Sequence, residues 1–178
     1  QGVGELLQLT DQGQIGDDEG RRGPGVDAVA DELRRWRVLP ELRFINDYHE
    51  HPSYIEALAD SVRRYQAVHG EPDRLLLSFH GIPQDYVDAG DPYATQCYRT
   101  AALLVQALDL PEDRWQLSFQ SRLGPKQWLQ PYTDHTLKSL GEKGVKNIQV
   151  ICPGFSVDCL ETLEEVALEN RDIVIGAG

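Results

Sequence analysis

Apolar and polar positions divide this chain into short hydrophobic runs separated by stretches of helical period. Val26, Val29 or Ala30, Leu33 and Trp36 fall on one side of a 3.6-residue repeat and predict a helix over 26–36. Leu42-Arg43-Phe44-Ile45-Asn46-Asp47 reads as a strand, and His49-Glu50-His51-Pro52 as a turn. His51-Pro52-Ser53 leads a long helix with apolar positions at Tyr54, Ile55, Leu58, Val62 and Tyr65, and Gly70 ends it as a left-handed cap would. Leu75-Leu76-Leu77-Ser78-Phe79 is a continuous apolar run, the mark of a strand buried on both faces. A polar loop over 84–92 leads to a helix over 93–108, and residues 115–120 alternate as a strand. Trp128-Leu129 lies in an irregular connection before a short helix over 133–140, ended by Gly141. A strand over 148–151 runs into a Pro-Gly turn, Asp158 opens another helix, and a last strand is expected over 172–175.

Five strands alternating with helices predict a three-layer α/β fold: a parallel sheet flanked by helices, joined by right-handed crossovers. Residues 1–25 are rich in glycine and charge, with no apolar period beyond a weak strand signal over 5–9; the segment is expected to be disordered or loosely attached. The remainder, 26–178, reads as one domain. The chain begins at Gln1 and stops just after an apolar run, so it reads as a fragment.

Composition narrows the function. Hydrophobic residues make up 40% of the 178, enough for a core, while the net charge is −12. With a pI near 4.7 the chain lacks the basic surface that nucleic acid requires, and its acidity suits cations. No run approaches the roughly 18 apolar residues of a membrane span, and no signal-peptide pattern occurs. Three cysteines without framework spacing suit a reducing compartment.

In a parallel sheet the strand ends meet on one rim, where α/β folds place their chemistry. Ser78 and His80 end one strand, Gln120, Ser121 and Arg122 another, and Asp158, Cys159 and Glu161 follow a third. An imidazole side chain can accept or donate a proton under working conditions, which makes His80 a candidate acid or base, although a strand-end histidine also serves simply as a backbone partner. After Asp158, Leu160, Leu163 and Ala167 share one helix face, and Glu161, Glu165 and Glu169 recur every four residues on another. The same acids fit a capped, solvated helix, since Asp158-x-x-Glu161 matches a capping box and early acids suit the helix dipole. Imidazole with carboxylate suits borderline divalent ions such as Fe²⁺ or Zn²⁺. A closed zinc site would want paired cysteines, and no Cys-x-x-Cys occurs. Cys152 and Cys159 read as buried thiols, His49 and His51 as surface residues, and Trp128 as either core or the wall of an apolar pocket.

Four motifs in order carry a family resemblance. They are Leu77-Ser78-Phe79-His80-Gly81-Ile82-Pro83; Gly90-Asp91-Pro92-Tyr93; Phe119-Gln120-Ser121-Arg122-Leu123-Gly124 with Trp128-Leu129-x-Pro131; and the run from Cys152-Pro153-Gly154-Phe155 through Asp158-Cys159-Leu160-Glu161 to Glu165. From about Val26 onward the chain resembles ferrochelatase of the bacterial protoporphyrin type, whereas 1–25 match nothing in that family. The resemblance implies a lyase that inserts Fe²⁺ into protoporphyrin IX to form protohaem, built from two Rossmann-like halves with the porphyrin between them. This chain would be the second half, its N-terminal half-domain missing. His80 would take pyrrole protons or bind the metal, Glu161 would be its partner carboxylate, and Glu165 and Glu169 would continue the acidic path. Trp128 and Ser121 would lie against the porphyrin. The family often has histidine where this chain has Cys159, which leaves a ligand role there open. Some relatives hold an iron–sulfur cluster on extra cysteines; that set is absent, so no resident cofactor is expected. The implied location is the cytoplasm, with peripheral contact at the inner membrane left open. Two alternatives remain: an inactive half that binds porphyrin or divalent metal weakly, and a cobalt or nickel chelatase of similar fold.

Overall fold

The computed structural model describes residues 24–43, 45 and 47–155. The chain divides into two compact units, with the boundary between Tyr48 and His49. In the first, helix α1 (Pro24–Leu33) is shorter at its C-terminal end than the apolar spacing predicts. Its last turn tightens through Arg35 N–H to Glu32 O and Trp36 N–H to Leu33 O, so Trp36 leaves the helical face and stands half-exposed. The described residues of 42–47 form no strand. Leu42 and Ile45 are exposed, and a run that buries neither of these side chains gains little from lying extended.

The second unit is built on a parallel sheet of three strands among the described residues: β1 (Arg74–His80), β2 (Trp115–Gln120) and β3 (Ile148–Ile151), in the order β2-β1-β3. Leu75 pairs with Trp115 and His80 with Gln120; on the other side Leu77 pairs with Ile151. The central strand β1 is buried over five consecutive residues, as its unbroken apolar run requires. The fifth expected strand, over 172–175, lies outside the described residues.

Helices cover both faces. Helix α2 (Pro52–His69) starts on an N-cap from His51, whose Nδ1 accepts from Ser53 N–H, with Pro52 at the first helical position. It buries Ile55, Ala59 and Val62, a stripe at i, i+4, i+7; Tyr65 falls outside this face and stacks on His69. The loop expected over 84–92 contains a five-residue helix, α3 (Gln84–Asp88). Helix α4 (Tyr93–Ala107) contributes Ala94, Cys97, Ala101 and Leu104. Together α2 and α4 close one core with Leu75, Leu77, Phe79, Leu117 and Phe119, the odd-numbered strand positions. Each such large side chain contributes roughly 1.5–3 kcal/mol by leaving water. Helix α5 (Thr133–Glu142) covers the other face and ends later than Gly141, which is buried inside it. The cap is Gly144, at φ 78°, where Gly144 N–H bonds Gly141 O and Val145 N–H bonds Leu140 O. That crossed pair of bonds needs a left-handed residue at the position Gly144 fills.

Candidate functional site at the C-terminal rim of the sheet

His80 is the last residue of the central strand, where the apolar run stops, and it is half-buried. Its Nδ1 lies 2.6 Å from the carbonyl oxygen of Gly81. A carbonyl only accepts, so Nδ1 carries the proton, and a neutral imidazole then has its lone pair on Nε2. No partner for Nε2 is found among the described residues. The ring is oriented by backbone and keeps one basic nitrogen, Nε2, outside that bond.

The backbone after His80 is braced from below. Gly81 N–H donates to Gln120 O at 2.8 Å, continuing the ladder one step past both strands. Leu129 N–H bonds Ile82 O and Gln84 N–H bonds Gln127 O, so the 127–129 segment runs beside residues 82–84. Trp128 is buried at the centre of this brace, its Nε1–H bonded to Leu123 O at 2.9 Å. A Cβ on Gly81 would stand 2.9 Å from Gln120 O and 3.3 Å from the Trp128 ring. Only glycine lets the tryptophan and β2 approach the histidine's backbone this closely. Trp128 thus packs beneath the histidine turn.

The even-numbered strand positions make a polar strip under α5. Ser78, Ser118, Gln120 and Thr133 are each at most 2% exposed. Ser78 Oγ lies 2.5 Å from Gln120 Oε1, and Thr133 Oγ1 lies 2.9 Å from both Ser78 Oγ and Ser118 Oγ. A separation of 2.5 Å suits O–H···O rather than N–H···O, so the amide oxygen faces Ser78. Ser78 then spends its proton on Gln120. It accepts from Thr133, which in turn accepts from Ser118. The Cys152 thiol also donates to Gln120 Oε1, at 3.7 Å. Gln120 Nε2 is buried without a hydrogen-bond partner among the described residues.

Ser121 follows at φ 65°, a left-handed conformation that serine seldom adopts. Arg122 then makes two 2.7 Å bonds to Asp134 in the first turn of α5, and its guanidinium lies 4.3 Å from the Tyr132 ring centroid. Burial works to raise the Asp134 pKa, but the Arg122 bonds outweigh it and hold the carboxyl below its ordinary value. Next in the loop, Leu123 is 81% exposed.

After β3 the chain turns at 152–155, closed by Phe155 N–H to Cys152 O, and the Phe155 ring centroid lies 6.3 Å from that of His80. Asp158, Cys159, Glu161, Glu165 and Glu169, the acidic half of the expected site, lie outside the described residues. Among the described residues no three His, Cys, Asp or Glu side chains cluster closely enough to hold a metal ion. The structure therefore brings His80, Gln120, Ser121, Phe155 and the buried Trp128 to one end of the sheet. His51 is exposed at its cap, as expected, and His49 is half-buried. Thr133 and Ser118 were missed: in sequence they look like solvent-facing positions, and the one available signal was Ser78 interrupting an apolar run.

The family model for ferrochelatase matches residues 23–178. The ferrochelatase of Aromatoleum aromaticum is 58% identical over 153 residues, covering 86% of this chain and 42% of that protein. That of Klebsiella pneumoniae is 58% identical over 157 residues, 86% and 49%. That of Hydrogenovibrio crunogenus is 57% identical over 152, 85% and 40%. The chain thus spans between two-fifths and half the length of these curated relatives.

Proposed function

The chain belongs to the ferrochelatase family, and from that premise we propose that it is the C-terminal half of an enzyme inserting Fe²⁺ into protoporphyrin IX in haem biosynthesis. Family membership gives the reaction class; the orientation of His80 is the observation that carries the assignment of chemistry to this rim. Metal insertion is not a redox step. Two pyrrole N–H bonds break, two protons leave, and four nitrogens bind the divalent cation. With Nδ1 committed to Gly81 O, His80 meets the macrocycle with Nε2, the atom able to accept a pyrrole proton or bind the incoming metal. Glu161 is proposed as the partner carboxylate, and Glu165 and Glu169 as the path by which cations arrive and protons depart. Ser121 and Trp128 are proposed to border the macrocycle. Three cysteines fall short of the four thiolates of an iron–sulfur cluster, so no resident cluster is proposed. Residues 26–178 are proposed as the family domain, with 1–25 outside it.

A second reading is favoured by length: the chain spans 42% of its relative, and these residues by themselves would supply one wall of a two-sided cleft. It would then bind porphyrin or divalent metal without turnover. One experiment separates the two. The chain, alone and fused to the upstream portion of the Aromatoleum aromaticum relative, is incubated anaerobically with protoporphyrin IX and Fe²⁺, and haem is followed by its absorbance. Haem from both supports an autonomous enzyme, and haem from the fusion alone supports the dependent half. Absence of haem from both refutes the proposal. Cobalt and nickel run in parallel test the cation preference. No described helix is long and apolar enough to cross a membrane; the proposed location is the cytoplasm, with peripheral contact at the inner membrane.

A further inference from the structure

The 152–155 turn stands between β3 and the acidic segment, and it sets Phe155 beside His80. Strand β3 is half-buried along its length, and by itself it leaves this turn little packing to define its course. Two tyrosines from the far core supply what is missing. Tyr54, in the first turn of α2, donates its hydroxyl to the carbonyl oxygen of Pro153 in a short hydrogen bond between residues 99 apart in sequence. Tyr93, the first residue of α4, has its hydroxyl 3.9 Å from where a Cβ on Gly154 would stand. Pro153 is buried, and the Phe79 ring lies 4.0 Å from the same Gly154 position. The turn is therefore held at consecutive residues by groups on α2, α4 and β1, none of which the reaction otherwise uses.

We propose that Tyr54 and Tyr93 are positioning residues of the rim: their hydroxyls fix the 152–155 turn, and through it Phe155 against His80 and the point from which the acidic segment departs. The inference rests on the metal-insertion reading for its catalytic consequence, but not for its geometry. A displacement of about 1 Å at a reacting group costs up to a hundredfold in rate, so a loosened turn lowers kcat while leaving porphyrin affinity largely intact.

Tyr54→Phe and Tyr93→Phe, made in the full chain and in the fusion described above, keep the rings and remove only the hydroxyls. Tyr65→Phe, on the exposed side of α2, is the control. NMR of the imidazole reads the local geometry, because the Phe155 ring current falls on His80. The expected result is a shift of the His80 ring resonances in both variants and not in the control. With it, kcat for metal insertion falls about tenfold and KM for protoporphyrin IX stays within about twofold. Wild-type resonances and wild-type kcat in Tyr54→Phe overturn the clamp, even if thermal stability falls, since a merely structural bond would move stability alone. If the wild-type fusion forms no haem, the metal-insertion reading falls, and the His80 resonances alone decide whether the clamp stands.

Discussion

His80 has its proton placed by the residue that follows it. Gly81 contributes a carbonyl at 2.6 Å and no side chain, and both are needed: the carbonyl sets the tautomer, and the missing Cβ lets Trp128 and Gln120 O close in beneath. His80→Ala in the fusion is expected to lower kcat by about 10²–10⁴, the usual worth of a positioned proton acceptor. The half-buried ring contributes little to the core, so the unfolding midpoint should hardly move; a variant that keeps wild-type turnover sinks the role. The buried strip behind it gives the opposite pattern. Thr133→Val preserves shape but strands the buried hydroxyl of Ser118, while Ser78 keeps its bond to Gln120, at a cost of about 1–3 kcal/mol for an unsatisfied group. Urea unfolding measures this directly, and an unchanged midpoint would show the relay to be energetically idle. The histidine was legible in sequence because it ends an apolar run. The relay was not, because a hydrophobic-polar pattern cannot tell a serine facing water from one satisfied by a neighbour 15 or 55 residues away.

At the scale of elements, periodicity located β1, β2, β3, α2, α4 and α5, and its errors fell where something other than periodicity decides. Gly141 looked like a helix stop, but a glycine costs a helix about 1 kcal/mol, and α5 absorbs it because the position is buried. The stop belongs to Gly144, where a positive φ is required. The 42–47 run has strand composition and forms no strand in its described residues, since pairing is a tertiary property. The other end of α5 carries a testable electrostatic link: Arg122 ties the loop after β2 to Asp134 in the first turn. Because the folded carboxyl titrates below its ordinary value of 3.8, the unfolded chain holds more protons on this group as the solution is acidified. The contribution is therefore fully present above that value and is lost as pH falls through the depressed folded value. Asp134→Asn should narrow its stability gap from wild type as pH drops through this window. The gap should also shrink in high salt, because the two side chains are 41% and 32% open to solvent. A gap that is constant with pH would assign the residue a packing role instead.

For the whole molecule, the strongest constraint follows from the proposed function, which would set a net charge of −12 before two substrates of opposite sign. Fe²⁺ is drawn to an acidic surface. Protoporphyrin IX carries two ionised propionates and is repelled by it. The two encounters should therefore respond to ionic strength in opposite directions. Raising salt from about 10 to 150 mM shortens the screening length from roughly 30 to 8 Å, enough to silence charges on distant parts of the surface while sparing those within one or two side chains of the metal path. On the proposed function, kcat/KM for the cation should fall several-fold over that range, because steering of this kind is a rate effect. The same quantity for the porphyrin should rise or hold level. Steady-state kinetics of the fusion, varying one substrate at a time, separates the terms. The acidic row can be tested within the same design. Glu165→Gln removes a single charge from the twelve, so long-range attraction should be nearly unchanged. If Glu165 belongs to the cation path, kcat/KM for Fe²⁺ drops at both salt concentrations while that for porphyrin does not. If the residue only adds to the overall field, the loss appears at low salt alone and vanishes at high salt. A site effect thus survives screening and a field effect does not, and that difference decides whether the carboxylates after the 152–155 turn conduct the metal or merely colour the surface.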